Sequence, residues 1–415
     1  MIKLNRIAIS NFKNIRLADV TFRDINVLVG PNGSGKSNFM RVLSFVHYLV
    51  TGPSESVTSM LIDGFKARFG LLLPNDLIVD ESASLRIDID FMDTKSNTLY
   101  FYSIELHKAK ISGSDKGKSR MELNIGRESF FFKKRSMKGA PAKIFTRELD
   151  KVTFNADLKR VVSLNKVSKY TSALKILELF SNELLDDKDL YDKYIKAQGA
   201  IISLLNTDVY YLSSHALRFN DYDPKYDFEH RLVNFDLVDS IIKIGDTDKW
   251  GYFKEVLKSI ANIDDVAIRS SGDENEKKYL VFRIHGKIEM IFSLSDGMLL
   301  IIALITKILT NDNCIIFIEE PENSIHPKAL QDLMQFIRAS SITKQFLIST
   351  HSVTLLNLTK PEEVFVSHID ADGMAEIEAI RNIKELKQKL NRNFLSFGDI
   401  LLHNMDETEE MKDLF

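Results

Sequence analysis

Residues 30–37 read Gly-Pro-Asn-Gly-Ser-Gly-Lys-Ser and fill every constrained position of the phosphate-binding pattern G-x-x-x-x-G-K-[ST]. Glycines in such a loop let the backbone turn, so that its N–H groups converge on phosphate oxygens. Lys36 supplies a point charge for the β- and γ-phosphates of a nucleotide, and the hydroxyl of Ser37 is a ligand for Mg²⁺. The loop therefore predicts a site for ATP with Mg²⁺. The residues that we expect to contact the nucleotide are Asn32, Gly33, Ser34, Gly35, Lys36, Ser37 and Asn38.

The segments on either side of this phosphate loop (residues 30–37) fit its chemistry. Residues 25–29 (INVLV) form a short apolar run typical of a buried strand, and residues 38–50 carry apolar side chains at helical spacing. A helix that begins beneath the loop adds the partial positive charge of its N-terminus to the site. A glycine-rich turn without a ligand is the alternative, but the order strand, loop and helix favours phosphate binding.

A second candidate segment is an apolar run that ends in two acids. Residues 314–318 (CIIFI) predict a central parallel strand, and Glu319 and Glu320 follow it at the carboxyl end, where such sheets bind ligands. We assign Glu319, with Ser37, to the Mg²⁺, and Glu320 to the catalytic base that orients and deprotonates an attacking water. Adjacent side chains point to opposite faces of a strand, so both acids reach the site only if the chain turns after Glu319. Pro321 favours that turn, and a solvated acidic turn is the alternative.

The composition restricts the class of protein. The chain has 415 residues, 44% of them hydrophobic, and a formal net charge of −3, which gives no overall attraction to nucleic acid. Cys314 is the single cysteine, so a disulfide within the chain is excluded and a cytoplasmic location is expected. The first residues lack the apolar core of a secretory signal. The most apolar run, residues 298–308, is too short to span a bilayer, so we expect no membrane contact.

Hydrophobic periodicity indicates how the chain is organised. Alternation predicts strands within residues 2–29, 84–107 and 121–148, whereas a helical period runs through residues 155–206 and 231–262. We expect four units, which are a nucleotide-binding head of residues 1–50 and 264–380, a strand-rich insertion of residues 51–154 with a basic hairpin, a helical lobe of residues 155–263, and a C-terminal helix with an acidic tail of residues 381–415.

The second segment of the head, residues 264–380, shows the pattern of an α/β core. Three further strands are expected at residues 265–270, 278–285 and 287–293. From residue 296 onward, predicted helices and strands alternate, as an α/β core requires.

Residues 319–327 (EEPENSIHP) resemble the Walker B segment and following loop of ABC-type AAA family ATPases related to the RecF, SMC and OLD proteins, usually written hhhhDEPE-x-x-LHP. Glu320 matches the catalytic base of that family. Glu319 stands where the family usually has Asp, and its longer side chain would still reach the metal through water. In this resemblance the phosphate loop is the Walker A motif.

Two more segments resemble parts of the same family. Residues 294–298 (LSDGM) are similar to the LSGGQ signature and open a helix, and residues 345–352 (QFLISTHS) resemble the last core strand with its switch histidine. The resemblance implies that His351 contacts the γ-phosphate and positions the water. A helix N-cap and a structural histidine are the alternatives for the two segments. The ATP held by a partner subunit would be contacted by Ser295, Asp296 and Gly297.

Weaker parts of the resemblance lie elsewhere. Residues 9–15 look like the opening strand of the family, where Lys13 either approaches the phosphates or is an exposed lysine between two strands. Residues 209–218 resemble a strand and arginine of several members. The glutamine that usually follows the Walker A helix is missing, so Asn75 or Asp76 replaces it or the metal site differs.

The resemblance implies both a fold and a function. The fold is α/β, an ABC-type P-loop NTPase head with a mixed N-terminal β-lobe plus a parallel-sheet core and a long β-rich and helical insertion. The function is that of an ATP-hydrolysing switch subunit, which forms a homodimer or higher homo-oligomer through the nucleotide. Stand-alone members of this size often belong to prokaryotic anti-phage systems, such as Septu or PARIS, and control a separate nuclease or toxin. A RecF-like DNA-repair ATPase that binds DNA and a nucleotide-dependent scaffold with negligible turnover are the alternatives.

Other segments bear on effector chemistry and nucleic acid. Only 64 residues follow His351, too few for the Toprim domain of OLD nucleases, so we expect no nuclease domain here. Residues 370–373 (DADG) predict a hairpin turn rather than a metal-binding acid pair. Residues 107–143 hold eleven Lys or Arg against three acids. Nucleic acid bound through residues 108–143 and a solvated hairpin with Phe130–Phe132 in the core are both compatible with this stretch.

Overall fold

The computed structural model describes most of the chain. The described residues are 1–52, 77–78, 83–112, 119–162, 164, 166–185, 187–207, 209–210, 217, 237–270, 278–384, 386 and 396–403. Four predicted features lie outside them, namely the polar pair Asn75 and Asp76, the middle of the basic hairpin, Arg218 and the acidic tail.

Sixteen strands occur in the described residues. They are β1 (Ile2–Phe12), β2 (Ile15–Thr21), β3 (Ile25–Val29), β4 (Leu85–Asp93), β5 (Thr98–Ser112), β6 (Ser119–Lys134), β7 (Ala142–Glu148), β8 (Lys151–Phe154), β9 (Val209–Tyr210), β10 (Asp265–Ser270), β11 (Lys278–Ile284), β12 (Lys287–Met290), β13 (Ile315–Glu319), β14 (Gln345–Thr350), β15 (Val364–Ile369) and β16 (Ala375–Ala379). Thirteen of them form one continuous sheet in the order β8-β7-β6-β5-β4-β1-β2-β16-β15-β3-β14-β13-β9.

Helices lie on both faces of the parallel part of this sheet. They are α1 (Lys36–Thr51), α2 (Ala173–Leu179), α3 (Ser181–Leu185), α4 (Lys188–Leu190), α5 (Lys196–Leu205), α6 (Leu237–Gly245), α7 (Trp250–Ala261), α8 (Asp296–Thr310), α9 (Pro327–Ser340), α10 (Val353–Asn357) and α11 (Phe397–His403). Of the predicted helical segments, residues 173–205 and 237–261 are largely helical, with a π-helical turn over Tyr191–Ile195 between α4 and α5. The prediction is wrong for the first part of residues 155–206, because the described residues before Ala173 form only a 3₁₀ turn, Leu158–Arg160.

The parallel part of the sheet separates two hydrophobic cores. Strands β15, β3, β14, β13 and β9 pair in parallel in that order. Side chains of β13 alternate between the faces, because Ile315 and Phe317 join the core under α1 whereas Ile316 and Ile318 join the core under α8. A strand covered on both sides needs a continuous apolar run, which explains why residues 314–318 were identified as a central strand.

The antiparallel part has a simpler pattern. Strands β4 to β8 form consecutive antiparallel pairs, and β4 joins them to β1. Along β4, the side chains of Leu85, Ile87 and Ile89 are fully buried and alternate with more exposed polar residues. The strands predicted within residues 84–107 and 121–148 are therefore confirmed.

A separate three-stranded sheet, β10-β11-β12, leads into α8. The strand predicted over residues 287–293 ends earlier than expected, at Met290, because Ile291–Ser293 forms a 3₁₀ turn. The hydroxyl of Ser293 donates to the backbone carbonyl of Met290 at 2.8 Å, and this contact helps to hold the turn.

The two parts of the large sheet are joined by a buried amide. Gln345 Oε1 accepts a hydrogen bond from Leu4 N–H at 2.7 Å, and Gln345 Nε2 donates to the carbonyls of Leu4 at 2.9 Å and Arg23 at 3.0 Å. This side chain therefore satisfies β1 backbone groups from the first residue of β14.

Candidate functional site

The phosphate loop connects β3 to α1. Gly33 and Gly35 have φ angles of +80° and +83°, a region that favours glycine. At Gly30, a Cβ atom would lie 2.4 Å from the carbonyl oxygen of Ser367, so a larger residue does not fit. Gly35 is the N-cap of α1 and brings no side chain, which leaves the first N–H groups of the helix for an anionic ligand.

The side chain of Lys36 folds back onto the start of the phosphate loop. Its ammonium donates to the carbonyl oxygens of Gly30 and Pro31, both at 2.9 Å. Burial lowers the pKa of the Lys36 ammonium, and the carboxylates of Glu320 and Glu319 offset part of that shift. The positive charge is thus held at the point where phosphate oxygens would meet the loop.

The predicted metal ligands are in contact. Ser37 at the start of α1 donates a hydrogen bond from Oγ to Glu319 Oε1 at the end of β13. The described residues contain no group of three or more His, Cys, Asp or Glu side chains arranged for a metal. A hydroxyl and one carboxylate suit Mg²⁺, which keeps several waters and takes few protein ligands when phosphates complete its shell.

Glu320 turns away from the strand that carries Glu319. Its φ angle is +46°, and its N–H donates to the carbonyl of Ser349 at 3.0 Å. This left-handed conformation is the turn that the sequence required after Glu319, and such strained conformations cluster at functional sites. Glu320 Oε2 accepts from Asn323 Nδ2 at 3.1 Å, while Oε1 lies 3.4 Å from His351 Nε2.

His351 follows the carboxyl end of β14. Burial lowers the pKa of its imidazole, and the nearby Lys36 ammonium lowers it further, while Glu320 and Glu322 act in the opposite direction. Since the shift goes down from a value near 6.5, the ring is neutral at pH 7. A neutral ring offers one N–H donor and one acceptor nitrogen for hydrogen bonds and brings no charge of its own into the site.

Buried polar atoms without partners are concentrated here. Within the described residues, Ser34 Oγ, Ser349 Oγ, Glu322 Oε2 and His351 Nε2 are buried and lack a hydrogen-bond partner. Such atoms are uncommon in folded proteins and often indicate a ligand or water. Together with the loop geometry, they fit a polar ligand such as the phosphates of ATP.

The segment similar to the signature lies at the start of α8. Ser295 is the N-cap of this helix and accepts from Met298 N–H at 3.3 Å, so the capping interpretation holds within one chain. Ser295 and Asp296 are exposed, as a contact with a partner subunit would require. Gly297 packs against the turn after Glu320, where a Cβ would lie 2.4 Å from Ser324 O.

Two residues that support the loop were missed by sequence reasoning. Asn14 Nδ2 donates to Gly33 O at 2.6 Å, and Asn14 Oδ1 accepts from Asn38 Nδ2 at 2.7 Å. Ser367 on β15 donates through Oγ to the carbonyl of Ser34. Asn14 stands in the opening strand motif and could have been noticed there, whereas nothing in the sequence connects Ser367 to the loop.

The remaining predicted site residues occupy less central places. Asn32 is exposed at the tip of the phosphate loop, and the side chain of Asn38 is engaged with Asn14. Lys13 has a φ angle of +53° and donates through its backbone N–H to Leu77 O at 2.8 Å.

Residues 370–373 form the predicted turn. They connect the antiparallel strands β15 and β16, and Gly373 adopts a φ angle of +80°. Arg16 neutralises both acids, with Nε 3.0 Å from Asp370 Oδ2 and an amino group 2.7 Å from Asp372 Oδ2. The hairpin prediction is confirmed, and the acid pair is occupied by an arginine.

The basic stretch divides between core and surface. Phe130 is fully buried and packs on Tyr102 and Phe145, with ring centroids 5.9 and 6.2 Å apart. Phe132 packs edge-on against Tyr194. Lys134, Arg135 and Lys138 are exposed at the end of β6 and in the turn that follows. At least Phe130 is thus a core residue, while the neighbouring cations face solvent.

Among the helices of the described residues, none is both long enough and apolar enough to cross a membrane.

The fold and the site define a P-loop NTPase of the head type. A family model described as "AAA domain, putative AbiEii toxin, Type IV TA system" matches residues 25–357, which is most of the chain. The chain therefore belongs to this AAA family. Among curated proteins, no match is found.

Solved SMC heads are similar to the chain. An SmcHead bound to the C-winged helix domain of ScpA is 13% identical, with a TM-score of 0.50 over 92% of this chain and 99% of that one. The SMC head domain from Thermotoga maritima is 12% identical, with a TM-score of 0.43 over 91% of this chain and 99% of that one. The third structure is an Smc head domain with an extended coiled coil, derived from Pyrococcus furiosus and bound to the C-terminal domain of ScpA. It is 12% identical, with a TM-score of 0.46 over 95% of this chain and 100% of that one. The first of these shows the fold alone, and the predicted mixed α/β head of SMC and ABC type is confirmed.

Proposed function

We propose that this protein binds Mg·ATP between two copies of itself, hydrolyses it and works as a switch. One observation carries the proposal. The phosphate loop, Glu319, Glu320 and His351 come from distant parts of the sequence and meet at one edge of the sheet, with Glu320 Oε1 3.4 Å from His351 Nε2. Membership of an AAA family supports the ATPase activity.

Each residue of the site has a part in the proposed reaction. Lys36 and the first N–H groups of α1 would hold the phosphates, and Ser37 with Glu319 would hold the Mg²⁺. The ion, when bound, neutralises charge on the β- and γ-phosphate oxygens. Glu320 orients the attacking water and accepts its proton, while the neutral His351 fixes the water on the other side.

The second copy would complete the site. Ser295 and Asp296 are exposed at the N-terminus of α8, where a partner's γ-phosphate can be received by backbone N–H groups. The trans contact is inferred from the resemblance to ABC-type heads, in which the signature of one subunit faces the ATP of the other. Dissociation after hydrolysis would then reset the switch.

We further propose that the switch controls a separate effector. The family description names a putative AbiEii toxin and a type IV toxin–antitoxin system, which supports a role beside a toxin or nuclease in anti-phage defence. Expression of the effector with the wild type, and with a Glu320→Gln variant held in the ATP state, tests this idea. Toxicity that does not depend on the ATPase would contradict it.

The ATPase proposal has a direct test. The affinity for ATP and the rate of phosphate release are measured for the wild type and for Lys36→Ala, which removes the charge in the loop. We expect at least a 100-fold loss of ATP affinity in the variant, since phosphate contacts of a buried cation dominate binding in such loops. An unchanged affinity would remove the loop from the mechanism.

Nucleic-acid binding is the second candidate, and an exposed basic tip favours it. Lys133, Lys134, Arg135 and Lys138 follow one another at the end of β6 and in the next turn, and no acid occurs between Glu128 and Glu148. Neutralising residues 133–135 together should lower the salt slope of duplex DNA binding by about 2.7, since each lost phosphate contact lowers it by about 0.9.

A matched triple variant controls this experiment. Lys188, Lys243 and Lys258 are exposed on three helices, and their replacement by glutamine changes the net charge equally. An equal loss of DNA binding in both triple variants would refute a role for the basic tip.

A further inference from the structure

The turn after Glu319 is hydrogen-bonded to His351, the residue that follows β14. We call residues 320–325 the acidic turn. Glu322 Oε1 accepts one hydrogen bond from Thr350 Oγ1 at 2.6 Å and another from His351 N–H at 3.0 Å. The second oxygen, Oε2, is buried and has no hydrogen-bond partner within the described residues. A single carboxylate oxygen therefore ties the backbone of His351 to the acidic turn.

The ring of the same histidine faces the other glutamate of the turn. His351 Nε2 lies 3.4 Å from Glu320 Oε1, and Glu320 N–H is anchored on Ser349 O at 3.0 Å. His351 is thus placed between two glutamates, one at its backbone and one at its ring. Hydrogen bonds to an ionised acceptor are the stronger ones, so the turn and the histidine should move together.

The acidic turn also touches the helix that begins at the signature. A Cβ on Gly297 would lie 2.4 Å from Ser324 O, so the backbones of α8 and of the turn are in close contact. Within the turn, Ile325 N–H donates to Glu322 O at 3.2 Å, and the Ile325 side chain is buried in the core under α8. A displacement of α8 therefore cannot leave the turn where it was.

We propose that Glu322 is a positioning residue, which keeps His351 aligned with Glu320 and transmits movements of α8 to both. The inference rests on the proposed function, because it gives Glu322 a part in the same hydrolysis. Glu322 acts through the backbone of His351 rather than by touching the nucleotide. Engagement of the signature by a second copy would thereby set the geometry of the base and the histidine.

Hydrogen exchange tests the contact without any nucleotide. Removing the acceptor in Glu322→Ala frees the N–H of His351, and we expect exchange at this amide to rise at least tenfold in the ligand-free protein. Glu322→Gln keeps an oxygen acceptor and should exchange like the wild type. Unchanged exchange in Glu322→Ala would overturn the proposal.

Kinetics then tests the role in hydrolysis. A misplacement of about 1 Å can lower a rate about 100-fold, so Glu322→Ala should lower kcat by about that factor while KM for ATP changes less than threefold. Because Glu322 acts through His351, the same change made in a His351→Ala background should lower kcat less than threefold. Full additivity of the two substitutions would refute the coupling, and Glu322→Gln should restore most of kcat.

Glu363→Ala is the matched control. Glu363 is buried and, like Glu322, accepts a backbone N–H, from Lys360 at 3.0 Å, and a side-chain donor, from Arg338 at 2.8 Å. It precedes β15, at the edge of the sheet opposite the phosphate loop. The control should lose stability without a change in kcat, and a 100-fold loss there would show that destabilisation alone explains Glu322→Ala. Absence of turnover in the wild type would instead overturn the proposed function, whatever the exchange data show.

Discussion

Replacing Glu320 by glutamine removes one charge and little else. The side chains have nearly the same shape, and the amide oxygen can still accept from Asn323 Nδ2, which lies 3.1 Å from Glu320 Oε2. The pKa of His351 is lowered by burial and by Lys36, and Glu320 is one of the groups that raise it. Loss of the carboxylate therefore keeps the histidine neutral, so any change in rate reports the carboxylate itself.

The size of the effect follows from the role of a general base. Such a group contributes about 10²–10⁴-fold to a rate, which corresponds to about 2.7–5.4 kcal/mol at 1.36 kcal/mol for each factor of ten. Binding of ATP should be nearly unchanged, because the phosphates are held by the loop and by Lys36. Glu320→Gln should consequently accumulate an ATP-bound oligomer.

The assay combines phosphate release with mass measurement in solution, each with and without ATP. The chain offers a matched control in Glu376→Gln, since Glu376 Oε2 lies 3.4 Å from His368 Nε2 and both side chains are about as exposed as Glu320 and His351. The control should hydrolyse ATP at the wild-type rate. Turnover by Glu320→Gln within threefold of the wild type would refute the assignment of the base.

Three further predictions test other contacts. Ser295→Arg places a long cation on the exposed signature, so mass measurement with ATP should show a monomer, while the melting temperature should equal that of the wild type. An unchanged oligomer would count against a contact between the signature and the ATP of the partner subunit. Asn14→Ala removes the amide that joins Gly33 O to Asn38, and calorimetry should find ATP affinity reduced about tenfold, for a loss of about 1–1.5 kcal/mol in loop order. Burial alone would raise the pKa of Glu363, but the hydrogen bonds that it accepts from Arg338 and from Lys360 N–H, together with the positive charges of both residues, outweigh this and hold the pKa below the usual value. The pair therefore stabilises the fold above the unfolded pKa of about 4.3 and loses this contribution as the pH falls through the lower folded value. The difference in melting temperature between wild type and Glu363→Gln should stay constant from neutral pH to about 5 and narrow at lower pH, and a gap that widens on acidification would contradict the ion pair.

Sequence reasoning succeeded where the signal is local. The phosphate loop is flanked by β3 and α1 as expected, and the acids follow β13, because a doubly covered strand requires an apolar run. It failed for Asn14, Ser367 and Glu322, whose contacts depend on strand order and register. The contact of Ser367 with Ser34 spans 333 residues and exists only because β15 pairs with β3.

The burial of three consecutive phenylalanines could not be predicted from the pattern either. Phe130 is fully buried, whereas Phe131 and Phe132 are partly exposed, and the register between β6 and β7 shifts between Phe130 and Phe131. A bulge of this kind is set by the paired strand rather than by the sequence of β6 alone. The sequence therefore could not show which aromatic rings are available at the surface.

The contact between Ser37 and Glu319 has a consequence for how the protein is made. The two residues are separated by 282 positions. At about 5–20 residues per second, the ribosome adds the second one roughly 15–60 s after the first. A translation product that stops before Glu319 cannot assemble both metal ligands, so such a fragment cannot compete for nucleotide through a complete site.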